Sequence, residues 1–398
     1  MLTTMLLLGL YSLTAAVLLL TFIFCLEVLL TVLPWRASTQ VEPLSRLRFA
    51  VLIPAHNEQA ALSRTLKTLV PTLGQKDWVL VVADNCTDNS AAVARHAGAE
   101  VIEHRDPAKR GTAHAIDAGL KHFQSNPPDA VIFLDADCLV ERDAVRLLGT
   151  AAVTMRRPAQ AVNLCEPESE LDQVEAVADF GFRLNNIVRA QGLFRLTGSC
   201  YLTGTGTALP WALTYNLRDA GDEPVDDPQL GLALAVAGQP PLLVPEARVD
   251  SPVAMRDEIL HRPNAAKKYG YLKTLLFQVP RLLSQGIAQG RSDLFGLALD
   301  LAIPPVSVLA AFWVVTFAAA MAGIPLGATA WPALLLVGGG AALVAALFAG
   351  WLFHCRPAVR FATLLSAPFC ALSLLQLSRH TTQAWEAGLA GVAQARRA

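Results

Sequence analysis

Two uncharged stretches constrain this chain before anything else. Leu2 to Leu26 contains no charged residue, and neither does Leu301 to Phe353. A helix crosses the hydrocarbon core of a bilayer in roughly 20 apolar residues. The first stretch is therefore long enough for one span and the second for two, with "AGIPLGATAWP" at Ala322 to Pro332 as the turn between them. Composition agrees, because 53% of the 398 residues are hydrophobic and only 16% are charged, against about 25% charged in soluble domains. The first stretch has neither a basic leading region nor a small-residue cleavage site after it, which favours an uncleaved anchor over a secretory signal. Arg36, Arg46 and Arg48 follow it, and His354, Arg356 and Arg360 follow the second stretch. The bias of basic residues towards the cytoplasm puts both flanks there. The apolar run Phe361 to Leu377 contains Pro368 and precedes Arg379, His380, Arg396 and Arg397, so an interfacial or re-entrant helix is expected rather than a crossing that exports a basic tail. Glu27 lies inside the anchor, where a charge is costly, and is expected to pair with another helix.

The resulting organisation is an anchor at 1–35, a cytoplasmic α/β domain at 36–260, an interfacial amphipathic segment at 261–293, a membrane hairpin at 294–356, and an interfacial or re-entrant tail at 357–398. A formal net charge of -1 gives no surplus for nucleic-acid binding. Seven cysteines are scattered without CxxC or His/Cys spacing, and read as reduced thiols rather than as a zinc or disulfide framework.

Residues 49 to 137 alternate strand and helix signals. "FAVLIP" precedes an amphipathic stretch from Glu58 to Leu69, "WVLVVAD" precedes Ser90 to Ala97, and "AEVIEH" precedes Thr112 to Phe123; "AVIFLDAD" comes last. Short, nearly continuous apolar strands with helices between them describe a doubly wound parallel sheet. Ligands bind such sheets outside the carboxyl ends of the strands. Those ends carry His56, Asn57 and Glu58, then Asp84 and Asn85, then His104 and Arg105, then Asp135 and Asp137. Residues two apart on an extended chain face the same way about 7 Å apart, so the last pair suits one site. Hard carboxylate oxygens suit Mg2+ or Mn2+, which complete their shell with substrate phosphates. Aspartate is also common in turns, and the pair alone fits either reading.

A dinucleotide-binding sheet would carry GxGxxG after its first strand, whereas this chain has "PAHNEQAAL", and no Walker A pattern occurs. Six motifs in order do resemble a known family: "VLIPAHNE" at Val51, "VVADNCTDNS" at Val81, "RDPAKRGTAHAIDAGL" at Arg105, "DADC" at Asp135, "GTGTALPW" at Gly204, and "VDDPQLGLALAVAGQPPLLVPEARV" at Val225. Together they resemble the family 2, GT-A type glycosyltransferases, in particular the membrane-anchored branch of exopolysaccharide and cellulose-synthase-like enzymes. The resemblance implies the GT-A nucleotide-diphospho-sugar transferase fold. On the donor side it implies that Pro54, Asn57 and Glu58 border the nucleotide, that Asp84, with Asn85 beside it, contacts the base, and that Lys109 and Arg110 lie near the phosphates. Asp135 and Asp137 would hold ribose, Mg2+ or Mn2+, and diphosphate. Relatives usually have a lysine where this chain has Thr112. Asp227 matches the general base, with Asp226 replacing a glutamate; both would also suit the start of a helix, with Pro228 in its first turn.

Acceptor contacts are implied for Gly204, Thr205 and Gly206. The Q-x-x-R-W motif of relatives falls over "PNAAK" at Pro263 to Lys267, where all three of its defining residues are missing, and His261, Arg262 and Lys267 are what could substitute. The implied function is inverting transfer of one sugar, from a nucleotide-diphosphate sugar such as a UDP-sugar, to a lipid-linked saccharide acceptor. Its setting would be bacterial exopolysaccharide or envelope glycan synthesis, on the cytoplasmic face of the inner membrane and in contact with membrane lipids. A polyprenyl-phosphate sugar transferase and a catalytically silent assembly component are the alternatives. The runs "FGFRLNNIVRAQGLFRL" from Phe180 and Lys267 to Arg291 interleave basic and apolar residues, and both are expected at the bilayer surface.

Overall fold

The computed structural model describes residues 2–34, 46–106, 111–164, 173–214, 227–250, 274–356 and 359–360. The four expected strands are present: β1 (Phe49–Ala55), β2 (Trp78–Asp84), β3 (Glu100–His104) and β4 (Ala130–Phe133). They pair in parallel in the order β3-β2-β1-β4, with Val51 beside Val79, Leu52 beside Phe133 and Asp84 beside His104. Their carboxyl ends therefore share one edge of the sheet. The helices between them are α2 (Gln59–Leu69), α3 (Ser90–His96) and α4 (Thr112–Phe123).

Beyond β4 the sheet changes direction and becomes mixed. After the short β5 (Leu139–Val140) and helix α5 (Ala144–Met155) come β6 (Ala159–Leu164), β7 (Thr207–Pro210) and β8 (Leu242–Asp250). The full order is β3-β2-β1-β4-β7-β6-β8-β5, with β7 antiparallel to both β4 and β6. Because Phe133 pairs with Thr207, the start of β7 lies at the same edge as the end of β4.

Both faces of the sheet are covered, which explains why the strands read as continuous apolar runs. Phe49, Val51 and Ile53 pack with Leu62, Leu66 and Leu69 of α2 and Leu148 of α5. On the other face Ala50 and Leu52 pack with Ala115, Leu120 and Phe123 of α4.

Among the described residues, three helices are long and apolar enough to cross a membrane, over Thr4–Val32, Val306–Leu326 and Trp331–Cys355. They coincide closely with α1 (Leu2–Val32), α11 (Val306–Gly323) and α12 (Trp331–Gly350). The latter two follow α8 (Asp227–Val236), α9 (Val279–Gln289) and α10 (Ser292–Ala302) in the chain. Phe22, Val315 and Val344 point outwards and are exposed, as lipid-facing side chains would be. Between these helices Trp313 stacks on Phe317 at 5.4 Å, and its indole N–H donates to the Leu336 carbonyl.

The Phe180 segment is packed against the membrane-length helices. It forms α6 (Gln173–Arg183), a π-helical turn (Leu184–Arg189) and α7 (Ala190–Thr197), and packs Phe180, Leu184 and Val188 against Phe24 and Val28 of α1 and Leu343 of α12. Its arginines turn inwards. Arg183 pairs with the fully buried Asp179 at 2.9 Å. Arg195 donates to the Leu30 and Leu33 carbonyls, satisfying groups that the end of α1 leaves open. Arg189 donates to Asp300 at 2.7 Å, and its Nε lies 3.5 Å from Glu27. The partner expected for Glu27 is thus an arginine packed against the anchor, with Asp300 of α10 as a second carboxyl.

That cluster sets one expected result. Arg189→Leu leaves two buried carboxyls without a cation and should destabilise the fold by about 3–5 kcal/mol. Glu27→Gln keeps one carboxyl facing one guanidinium and should cost far less. Thermal unfolding of the detergent-solubilised protein compares them, and equal losses would contradict the pairing.

Candidate active site

The exposed ends of β1 and β2 are locked together by side chains that replace missing backbone bonds. Asn57 and Asn85 both take left-handed backbone conformations, with φ of 55° and 49°, a region asparagine tolerates better than most residues. The Asn57 side-chain oxygen accepts from the backbone N–H of Thr87 at 2.7 Å and of Asp88 at 3.3 Å. The Asn85 backbone N–H donates to the His104 carbonyl at 2.7 Å, which ties β2 to β3.

Asp84 lies at the centre of this edge and is buried. Its Oδ1 accepts from His104 Nδ1 at 2.8 Å and from the Asn85 amide at 2.7 Å, while Oδ2 accepts the backbone N–H of Gly111 at 3.0 Å. Burial opposes ionisation of this carboxyl, but the bonds from His104 and Gly111 outweigh it and hold the group below the ordinary aspartate range. Glu58 shows the opposite balance: burial first, then the negative charge of Asp137, push its carboxyl up. Pro54 lies within β1, just before this edge.

Asp135 and Asp137 do not sit on an extended strand. β4 ends at Phe133, and the pair occupies a turn between β4 and β5, closed by the Cys138 N–H donating to the Asp135 carbonyl at 3.4 Å. The turn and the shared site are therefore compatible readings. Ligand atoms of Asp135, Asp137 and Cys138 all lie within 4.8 Å of one another. Two hard carboxylate oxygens in that spacing fit Mg2+ or Mn2+, and the charge of Asp137 adds to the burial that pushes the nearby Glu58 carboxyl up.

The loop before β7 reaches the same place. Gly204 and Gly206 have φ of 91° and 69°, and a side chain at Gly206 would press on Ala161 and Val249, so this crossing of strands requires glycine. Between them the Thr205 hydroxyl accepts the Asp135 backbone N–H at 3.1 Å and lies 2.9 Å from the Cys138 sulfur. The three residues singled out for the acceptor thus stand beside the paired aspartates, and the Thr205 side chain faces the protein interior.

Asp227 opens α8, with Pro228 in the first turn as its helix-start reading requires. Its side chain lies outside the described residues, as do Lys109, Arg110, Asp226, Arg262 and Lys267. Two polar residues at this edge were not singled out as ligands. His104 was visible at a strand end. Gln160 is one of two polar residues in "AQAVNL" and the fully buried one of the two; an uncharged polar residue in a buried strand is the signal that could have found it.

Residues 50–154 match the family described as Glycosyl transferase family 2. Among curated proteins, the 4,4'-diaponeurosporenoate glycosyltransferases of Staphylococcus aureus are similar: that of strain MRSA252 is 34% identical over 102 residues, 25% of this chain and 26% of the relative. That of strain USA300 is 33% identical over the same length. The chain thus spans about a quarter of the length of these relatives. Among solved structures, a mannosyltransferase from Pyrobaculum calidifontis in complex with GDP-Man and Mn2+ superposes with a TM-score of 0.52 at 19% identity, covering 87% of this chain and 98% of that one. The fold is the GT-A nucleotide-sugar transferase fold, an α/β architecture built on a curled mixed sheet.

Proposed function

We propose that this protein is a metal-dependent, inverting glycosyltransferase that moves one sugar from a nucleotide-diphosphate sugar to a lipid-linked acceptor at the cytoplasmic face of the inner membrane. The observation that carries the reading is the convergence of Asp84, Asp135 and Asp137 with the 204–206 loop on one sheet edge, in a chain with three membrane-length helices. Asp84 receives the base, and Asn57 and Glu58 border the nucleotide. Asp135 and Asp137 would hold a divalent cation, which would supply positive charge to the departing diphosphate, a part for which the sequence also offers Lys109 and Arg110. Asp227, with Asp226 beside it, takes the proton of the acceptor hydroxyl as it attacks from the opposite face. Single displacement at an α-linked donor then gives a β-linked product.

Asp84 favours uridine as the base. A carboxylate offers about four acceptor positions, and His104, Asn85 and Gly111 occupy three. One remains, which fits the single imide N–H of uracil better than the two adjacent donors of guanine.

The acceptor side supports a membrane-held substrate. Leu276, Phe277 and Ile287 are exposed along the Thr274–Gln278 turn and α9, with Leu282 buried on the other side, an amphipathic arrangement suited to lying in the lipid interface. His261, Arg262 and Lys267 stand where relatives have Q-x-x-R-W, and no aromatic platform for gripping a growing chain is present in that stretch of sequence. A setting in exopolysaccharide or envelope glycan assembly follows from the motif resemblance. The S. aureus relatives, named for a non-saccharide acceptor, support a second reading in which the sugar goes directly to a lipid.

The test uses the purified full chain in lipid bilayer discs with Mn2+ and membrane lipid extract. Nucleoside diphosphate release is measured across UDP- and GDP-sugars, and labelled product is sized at high donor excess. Release from a UDP-sugar with one sugar added per acceptor is expected. Release confined to GDP-sugars would overturn the base assignment, and a ladder of lengthening polysaccharide would overturn single-sugar transfer.

A further inference from the structure

We infer that Gln160 is a positioning residue for this site: it clamps the 203–207 loop and, through Thr205, sets the turn that carries Asp135 and Asp137. Gln160 is 1% exposed, yet both ends of its amide are engaged. Its Nε2 donates to the Thr205 carbonyl at 2.9 Å and to the Ala161 carbonyl at 3.1 Å. Its Oε1 accepts from the Thr203 backbone N–H at 3.0 Å and from the Thr207 hydroxyl at 2.7 Å. One side chain therefore bonds to residues 203, 205 and 207 of the same loop.

That loop needs an outside partner. Gly204 and Gly206 sit in left-handed conformations, which turn its backbone groups away from regular strand pairing. A buried backbone group without a partner costs about as much as a lost hydrogen bond. Gln160 supplies those partners from the neighbouring strand, opposite Thr207 in the β6–β7 register. Thr207 in turn faces Phe133, the last residue of β4, and the Gly206 N–H donates to the Phe133 carbonyl at 2.9 Å. The clamp and the metal turn thus lie at one level across three adjacent strands. The final link is the Thr205 hydroxyl, which holds the Asp135 N–H and lies against the Cys138 sulfur. Without Gln160 the loop keeps its covalent path but loses its height relative to β4, and the two aspartates lose the support that fixes their spacing.

The inference rests on reading Asp135 and Asp137 as metal ligands, and the experiment separates the two. Gln160→Met preserves length and apolar volume while deleting all of these bonds. Leu309→Ala, a truncation on α11 in the separate cluster that it forms with α1 and α12, is the control for loss of stability alone. Mn2+ affinity is measured by electron paramagnetic resonance on the full-length protein in detergent with UDP present, below the unfolding temperature of every variant. Gln160→Met should weaken Mn2+ binding at least about 10-fold, the range seen when residues that orient metal ligands are removed. Leu309→Ala should leave the affinity within about two-fold of the unaltered protein, since removing a side chain buried away from the sheet acts on stability alone. If Gln160→Met fails to fold, Thr207→Val, which deletes one bond to Oε1, carries the test. A loss of about 2- to 10-fold is expected, as for one hydrogen bond. Unchanged Mn2+ affinity in these variants would overturn the clamp and leave the metal reading intact. Failure of the unaltered protein to bind Mn2+ would overturn the metal reading and the clamp with it.

Discussion

Asp137→Asn is expected to reduce sugar transfer by about 100- to 1000-fold, the scale on which loss of one preorganised electrostatic partner acts, and EDTA should have the same effect on the unaltered protein. The reason lies in the charge balance. A departing nucleoside diphosphate carries negative charge into an edge that already holds Asp84, Asp135 and Asp137, with Glu58 pushed up by burial and by Asp137. Without a cation, substrate and site repel one another. Asparagine preserves the shape of the turn, so the Cys138 N–H to Asp135 carbonyl bond and the Thr205 contact to Asp135 should survive and Tm should change little. Full activity in EDTA, or an Asp137→Asn protein as active as the original, would exclude the metal.

Much of the first half of the sheet was legible in the sequence because its information is local. β1, β2 and β4 are buried along nearly their whole length, so each appears as an unbroken apolar run that ends where polar groups begin, while the edge strand β3 keeps Glu100 and Glu103 exposed. Asn57, Asp84 and Asp135 could be placed on one edge from those endings alone. The second half of the sheet is harder for physical reasons. β5 spans only Leu139–Val140, too short for any periodicity, and β6 and β7 carry Gln160 and Thr207, buried polar residues tolerated because they bond to each other and to the 203–205 loop. Nothing adjacent in the chain announces that pairing.

The Phe180 segment shows the same limit. Alternating arginines and apolar residues fit a helix on the bilayer equally well as a helix wedged beneath it. What decides is the presence of Asp179, Glu27 and Asp300 at matching positions on three separate elements. Glu27 was nonetheless a sound signal, because a carboxyl inside an apolar helix must find a partner. The sequence could state that need while leaving Arg189 unnamed.

The second large effect concerns Asp227. Asp227→Asn should leave donor binding within a few-fold of the original while lowering transfer by at least about 100-fold, within the 10²- to 10⁴-fold range of a general base. On the proposed reading the two quantities separate, because the donor would be held elsewhere, by Asp84 and by the turn at Asp135 and Asp137. Asp227 opens α8, and an acidic residue at a helix start also stabilises the helix by about 0.3–1 kcal/mol. Asparagine is an equally good residue at that position. The substitution therefore removes the base at a cost to the helix of at most about 1 kcal/mol, and only a small change in Tm is expected. The measurement is UDP-sugar affinity by calorimetry set against single-turnover transfer at saturating acceptor. Loss of donor binding with transfer preserved at high donor concentration would place Asp227 on the nucleotide side of the site and remove it from proton transfer.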